Sequence, residues 1–501
     1  MDLKKILAGI DGLKVRGSLD INISNIDSDS RNIKDGGLFV AINGFDVDGH
    51  EYMKTAVENG AKVIIASMDA NKKLLKEIMD DVTLVLAPDT RLALAICACN
   101  FYKDPSKNLR LIGITGTKGK TTTSFMIKSI LEKQGKKVGL IGTIATYIGD
   151  KKLSDSDRTT PESVKLQEIL AKMVKAGCED VVMEVSSQSL KLNRVAGCDF
   201  DIGVFTNLSE DHISPKEHPD MEDYFNSKLK LFEMCKCGFV NADDLHAAKA
   251  ARLITNCPIS TYGIDNYCNL LAKDITITNS YVDFKVKLGD RNERVKLAIP
   301  GRFSVYNALA AISVCLKLGC TPEVIKEALL EVKVPGRSEL VPNAKDLTIM
   351  IDYAHSPESL DSILKAVKSY TRGNVISVFG CGGDRDTSKR EIMGEISGKI
   401  ADYTFITSDN PRTEDPDKIV KQIEKGMKKT NGKYNCITDR KEAIAAAIQM
   451  ANKNDIIVLA GKGHEPYQEI NGKKYSFDER EIVNDIINGN STPKKTSKKK
   501  N

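Results

Sequence analysis

Apolar and polar positions fall into a recurring order along this chain: a short apolar run, a polar or glycine-bearing turn, then a stretch with helical period. Residues 38–42 and 62–66 read as strands, and 91–101 repeats its apolar residues at helical spacing. A turn-rich segment, 103–108, carries Asp104-Pro105-Ser106 and reads as a linker. Beyond it, apolar runs at 109–114, 138–141, 181–185 and 202–205 alternate with amphipathic stretches such as 121–134, which predicts a mostly parallel sheet covered by helices. A second break falls at Val334-Pro335-Gly336. After it, four apolar runs, 348–351, 375–379, 403–407 and 456–460, each open directly into a polar or glycine-rich loop. Ligands of open α/β sheets bind beyond the carboxyl ends of strands, where these loops emerge.

The expected fold is therefore α/β in three domains: 1–107, 108–333 with a central P-loop-type parallel sheet, and 334–488 as a Rossmann-like α/β domain. A length of 501 residues accommodates three such cores. No apolar run reaches the roughly 18 residues of a membrane span, and the first residues lack a signal-peptide pattern, so a cytoplasmic protein is expected. Twelve scattered cysteines without a Cys-x-x-Cys pair argue for reduced, buried thiols rather than a zinc site or a disulfide framework. The formal charge of +5 resides in Lys494, Lys495, Lys498, Lys499 and Lys500, within a closing segment, 489–501, that has no acid and no apolar run. Its composition is that of a solvated, disordered tail, and without it the body is neutral, so neither nucleic acid nor membrane is expected as a partner.

One stretch carries chemistry on its own. Gly116-Thr117-Lys118-Gly119-Lys120-Thr121 lies between an apolar run and an amphipathic one. In a strand-loop-helix, the loop N–H groups and the positive helix end converge on phosphate, with Lys120 and the Thr121 hydroxyl placed for phosphate oxygens and Mg²⁺. The commonest P-loop has a further glycine where Ile114 stands. Glu184, at the end of a buried-type strand, would face the same loop and can hold Mg²⁺.

The loop resembles that of the Mur ligase family, and further blocks extend the resemblance over most of the chain: Ser30-Arg31, Thr159-Thr160-Pro161, Met183 to Ser187, Thr206-Asn207-Leu208 with Asp211-His212, Asp352 to His355, Asp409 to Arg412 and Gly461 to Glu465. The resemblance implies an ATP- and Mg²⁺-dependent ligase that makes an amide through an acyl phosphate. It assigns Gly116, Thr117, Lys118, Gly119, Lys120, Thr121, Thr122, Asn307, Arg337, Asp352 and His355 to ATP. It gives Lys120, Glu184, His212 and Lys228 to catalysis, with Thr121, Glu184 and a carbamylated Lys228 as metal ligands. Ser30, Thr159, Thr160, Ser186 and Arg194 fall to a UDP-N-acetylmuramoyl dipeptide.

Arg390, Asp409, Asn410, Pro411, Arg412, Gly461 and Glu465 match the positions that take meso-diaminopimelate in the family. The distal end of that ligand needs a cation for its carboxylate and an anion or carbonyl for its ammonium; Arg412 with Asp409, Asn410 and Glu465 meets both needs. An L-lysine-adding relative is disfavoured by Arg412, and a folylpolyglutamate-type ligase by the long first domain. A non-catalytic ATP-binding scaffold is disfavoured by Lys120, Glu184, Lys228 and Arg412 together. A monomer is expected. Gln188, Ser304, Glu391 and the spacing from Ile213 to His218 depart from the family pattern and leave the role of His218 open.

Overall fold

The protein is described by a computed structural model covering residues 1–489 except 212, 215, 216 and 346. His212 and the closing lysines therefore lie outside the described residues. The chain forms two compact units, Met1–Leu271 with Leu309–Val324, and Ala272–Ala308 with Ile325–Asn501. The expected boundary at 333/334 falls inside the second unit. Residues 272–308 join that unit, where Lys326 reaches Glu293 at 2.8 Å and the Ala298 N–H donates to Leu329 O.

The first unit holds two sheets. In the first, strands Ile26–Asp27, Gly37–Val40, Ala61–Ser67 and Thr83–Ala87 run parallel, and Lys14–Arg16 adds an antiparallel edge. Side chains alternate across a strand, so Val63 and Ile65 join one core while Ile64 and Ala66 join the other. Burial on both faces explains why such strands read as continuous apolar runs rather than alternating ones.

The second sheet has nine strands, in the order Leu270–Leu271, Ile259–Gly263, Cys235–Asn241, Phe200–Phe205, Arg110–Thr115, Asp180–Glu184, Val138–Ile141, Ala145–Ile148 and Lys151–Asp155. It is parallel up to Val138–Ile141; the last two strands form an antiparallel extension. Arg110–Thr115 is central, so the loop that follows it emerges in the middle of the carboxyl edge, at the start of helix Lys120–Lys133. The expected run of 109–114 is displaced by one residue.

The second unit contains an antiparallel sheet, Lys273–Ile277, Val282–Leu288 and Arg291–Leu297, and a six-stranded sheet in the order Glu339–Leu340, Thr348–Asp352, Ile456–Ala460, Val375–Phe379, Tyr403–Ile406 and Tyr434–Cys436. Apart from its first strand the latter is parallel. Ile456, Val458 and Ala460 enter one core; Ile457 and Leu459 enter the other. A hairpin, Tyr467–Ile470 with Lys473–Ser476, follows the last central strand. All twelve cysteines are free and nine are buried. Among the described residues, no helix is long and apolar enough to cross a membrane.

Candidate functional site

The phosphate-type loop is shaped by its own backbone. Gly116 has φ 140°, and a Cβ there would stand 2.0 Å from Thr206 Oγ1; Gly119, at φ 87°, caps the following helix. The Thr117 N–H donates to Asn207 O, and the Lys118 N–H donates to Asn207 Oδ1. Lys118 O in turn accepts from the Thr206 hydroxyl and Asn207 Nδ2. The Thr206-Asn207 block thus builds the loop rather than facing a ligand alone. Lys120 Nζ donates to Gly116 O at 2.8 Å and to Thr117 O at 3.1 Å. Thr121 and Thr122 are buried in the first helical turn.

Glu184 ends its strand beside this loop and is 1% exposed. Its Oε2 accepts from the hydroxyls of Thr121 at 3.0 Å and Thr143 at 2.9 Å, and its Oε1 from the Thr143 N–H at 3.0 Å. Sequence reasoning did not find Thr143; it lies after a strand in an unremarkable Gly-Thr-Ile stretch. From it a hydroxyl chain runs outward to Thr159 at 3.0 Å. Thr160 Oγ1 donates to Glu184 O and accepts from the Ser186 N–H, and Ser186 caps helix Ser187–Lys191. Arg194, also buried, pairs with Glu162 at 3.0 Å, and its Nε has no hydrogen-bond partner among the described residues. Four of the five residues expected to bind the UDP precursor therefore gather round the end of one strand. Ser30 lies in the short helical turn Ser30–Asn32 of the other sheet, its carbonyl accepting from Asn59 Nδ2.

Lys228, on helix Met221–Glu233, is buried, not solvated as its amphipathic surroundings alone imply. Its ammonium donates to Gly116 O at 3.1 Å and lies 4.2 Å from the centre of the Tyr224 ring. Burial, reinforced by the charge of Lys120, drives its pKa well below the ordinary lysine value, against a smaller opposing pull from Asp211. Tyr224 in turn hydrogen-bonds Thr117 Oγ1 at 3.1 Å, so the helix and the loop are joined twice.

His218 has a definite place. Its Nδ1 meets Asp223 Oδ2 at 2.6 Å and its Nε2 meets Ser187 Oγ at 2.9 Å, with the ring fully buried. Asp223 also receives Lys191 Nζ at 2.8 Å. With Nδ1–H donating to the carboxylate, the neutral ring accepts the Ser187 proton, and His218 ties the helix of Lys228 to the helix capped by Ser186. Burial holds its pKa below the ordinary value of 6.5, although Asp223 pulls the other way.

In the second unit, the expected nucleotide-facing residues cluster round Tyr353. The Arg337 guanidinium lies 4.5 Å from the ring centre, and the rings of His355 and His464 lie 4.5 and 5.1 Å away. Asp352 accepts the N–H groups of Ser338 and Ala354 at 2.7 and 3.0 Å. Asn307 is buried in helix Arg302–Lys317, whose first turn is closed by the Ser304 hydroxyl donating to Ile299 O and Gly301 O.

The remaining loops converge on Asp409-Asn410-Pro411-Arg412. Pro411 is buried, and Arg412 takes φ 50°. The Arg412 backbone is fixed by N–H donation to Glu469 O and by acceptance from Asn471 N; its Nη1 donates to Gly383 O at 2.7 Å and its Nε pairs with Glu469 at 3.3 Å. Gly461, at φ 114°, passes so close to Asp409 that a Cβ would stand 2.5 Å from its Oδ2. Glu465 accepts from Asn410 Nδ2 at 2.8 Å. Arg390 departs from the group. Its side chain is wholly buried, with Nη1 and Nη2 on both oxygens of Glu414 at 2.8 Å and further bonds to Gln422 and Gly382 O. These bonds make Arg390, in the first turn of helix Ser388–Ile400, part of the framework under the loops, and the exposed arginine of the loop before that helix is Arg385.

Residues 22–102 match the Mur ligase family catalytic domain, 114–315 the Mur ligase middle domain, and 336–463 the Mur ligase glutamate ligase domain. The chain is 48% identical over 97% of its length, and 99% of the relative's, to a UDP-N-acetylmuramoyl-L-alanyl-D-glutamate--2,6-diaminopimelate ligase of Caldanaerobacter subterraneus subsp. tengcongensis. It is 45% identical, over 97% and 99%, to ligase 1 of that name from Clostridium acetobutylicum. A solved structure of a ligase of the same name aligns with a TM-score of 0.70 at 29% identity, covering 98% of this chain and 99% of the other.

Proposed function

The chain belongs to the Mur ligase family, and from that membership we propose that it is an ATP-dependent, ADP-forming ligase joining meso-2,6-diaminopimelate to UDP-N-acetylmuramoyl-L-alanyl-D-glutamate in peptidoglycan precursor synthesis. The observation that carries this is full-length similarity, at 48% identity, to a relative bearing that ligase's name. In the reaction, an oxygen of the D-glutamate γ-carboxylate attacks the γ-phosphorus of ATP and ADP leaves. The amine of diaminopimelate then attacks the acyl phosphate, loses a proton, and the tetrahedral intermediate releases phosphate.

Catalysis of phosphoryl transfer consists mainly of positioning and charge neutralisation. Lys120 supplies a cation at the loop, and, with the Thr117 and Lys118 N–H groups held by Asn207, the helix start supplies the donors. Thr121 and Glu184 offer hard oxygen donors 3.0 Å apart and would hold one Mg²⁺, and Lys228 as a carbamate would hold a second; when bound they neutralise phosphoryl charge. The depressed pKa of Lys228 supports that modification, because only the neutral amine adds to carbon dioxide, giving up one proton as the carbamate forms. His212 is proposed to stand beside the phosphates. Thr159, Thr160, Ser186, Arg194 and Ser30 take the precursor; Arg337, Asp352, His355 and Asn307 take ATP. Arg412, Asp409, Asn410, Gly461 and Glu465 take the amino acid.

The test measures ADP release with the dipeptide precursor, comparing diaminopimelate, L-lysine and no amino acid. Strong dependence on diaminopimelate is expected. Equal use of lysine would refute the substrate assignment, and ADP release without precursor would refute the ligase. The reading places the enzyme in the cytoplasm as a monomer, which light scattering of the purified protein checks.

A further inference from the structure

Lys462 is a fully buried cation in the amino-acid loops, and nothing in its motif explains it. Its ammonium lies 3.1 Å from Asn410 Oδ1, 3.5 Å from Glu465 Oε2 and 3.8 Å from Asp409 Oδ1. The rings of Tyr467 and Phe477 stand 5.7 and 6.0 Å away. Asn410 Oδ1 also accepts the Glu469 N–H at 2.9 Å, so both lone pairs of that oxygen are used. Turning the amide over would set its NH₂ against an ammonium and an N–H, donor against donor, and would set its oxygen against the Glu465 carboxylate. The network therefore fixes the orientation, with Nδ2 on Glu465 and one N–H remaining.

We infer that Lys462 is a positioning residue for specificity: it locks Asn410 as a hydrogen-bond donor, so that Asn410 serves the ligand's carboxylate beside Arg412 while Asp409 and Glu465 serve its ammonium. This changes the role expected from sequence, in which Asn410 stood with the acids. It also sets the local charge. Asp409, Glu465 and Lys462 sum to one negative charge, the complement of a single ammonium, while Arg412, itself paired with Glu469 at 3.3 Å, answers the carboxylate as a hydrogen-bond donor. A zwitterionic end is thus matched at both poles.

The inference rests on the amino-acid-site reading above, and the test separates the two. Wild-type ADP release with diaminopimelate is scored first; its absence overturns that reading and this inference with it. Given activity, Lys462→Met should raise KM for diaminopimelate roughly ten- to a hundred-fold, with KM for ATP and for the precursor unchanged and kcat within about threefold. Asn410→Asp keeps the acceptor bonds to Lys462 and Glu469 N–H but places oxygen where the donor was. It should raise KM for diaminopimelate roughly tenfold or more and affect lysine far less. If Lys462→Met does not fold, Asn410→Asp carries the test. An unchanged or lower KM for diaminopimelate in Asn410→Asp, or an equal rise in all three KM values in Lys462→Met, overturns the inference alone.

Discussion

The loop at Gly116 and the loops at Arg412 solve the problem of a buried cation in opposite ways. At Gly116, Lys228 rests on a backbone carbonyl and an aromatic ring, and burial lowers its proton affinity. At Arg412, each cation meets a carboxylate: Arg412 meets Glu469, Lys462 meets Glu465, and Arg390 meets Glu414, whose pKa that contact holds down at about 2. The first arrangement favours the neutral amine of Lys228, the form from which the proposed carbamate would be made. The second cancels most of its charge internally.

The largest effect should come from the Gly116 loop. Lys120→Ala is expected to lower kcat by about 10³-fold or more while circular dichroism shows an intact fold, since it removes a transition-state cation rather than a core contact. Near-normal turnover would end the phosphate-site assignment. Lys228→Ala should lose roughly 10²- to 10³-fold, with part of the activity returning on addition of a short-chain carboxylic acid that stands in for the carbamate; full activity without the additive would exclude the role.

On the compensated side, Arg412→Ala should cost diaminopimelate roughly 30-fold to several thousand-fold in kcat/KM and change lysine little. An unchanged ratio between the two amino acids would contradict the specificity assignment. Glu414→Gln leaves the buried Arg390 without its carboxylate and should cost about 2 kcal/mol of stability at neutral pH, a figure reduced because Glu414 is about a third exposed. Its pKa is lowered from 4.5 to about 2, chiefly by the hydrogen bond from Arg390, so the stabilisation is complete above 4.5 and is lost as pH falls towards 2. Denaturant titrations across that range should show the loss in wild type and its absence in the variant.

The smallest effect belongs to His218. Its pKa is lowered by burial, so its contribution is complete above pH 6.5 and fades as the medium acidifies below that. His218→Asn should cost about 1 kcal/mol at pH 7.5 and flatten the acid side of the stability profile between pH 6.5 and 5. A wild-type profile without slope there would argue against the Asp223-His218-Ser187 tie.

The parallel strands were legible because burial on both faces forces contiguous apolar runs: residues 138–141, 375–379 and 456–460 are strands with the expected bounds. The antiparallel additions were not, because Lys151–Asp155 and Lys473–Ser476 are largely exposed and carry no apolar signal. The same division holds at the site. The Gly116 loop is contiguous, so its place between a strand and a helix could be read locally. Thr143, the burial of Lys228 and the partners of Lys462 depend on segments far apart in sequence. Arg390 shows the limit of motif matching, since of two arginines five residues apart the one on the helix is buried in the scaffold while Arg385, in the loop before it, faces solvent.

Gly116 O accepts from Lys120 on its own loop and from Lys228 on the helix more than a hundred residues later. With Tyr224 on Thr117 as a second tie, the loop and that helix share their fate in any local opening. Their amide protons should exchange with solvent as one cooperative unit with a common opening free energy. A substitution in the Met221–Glu233 helix would then change the lifetime of the Gly116 loop without touching it.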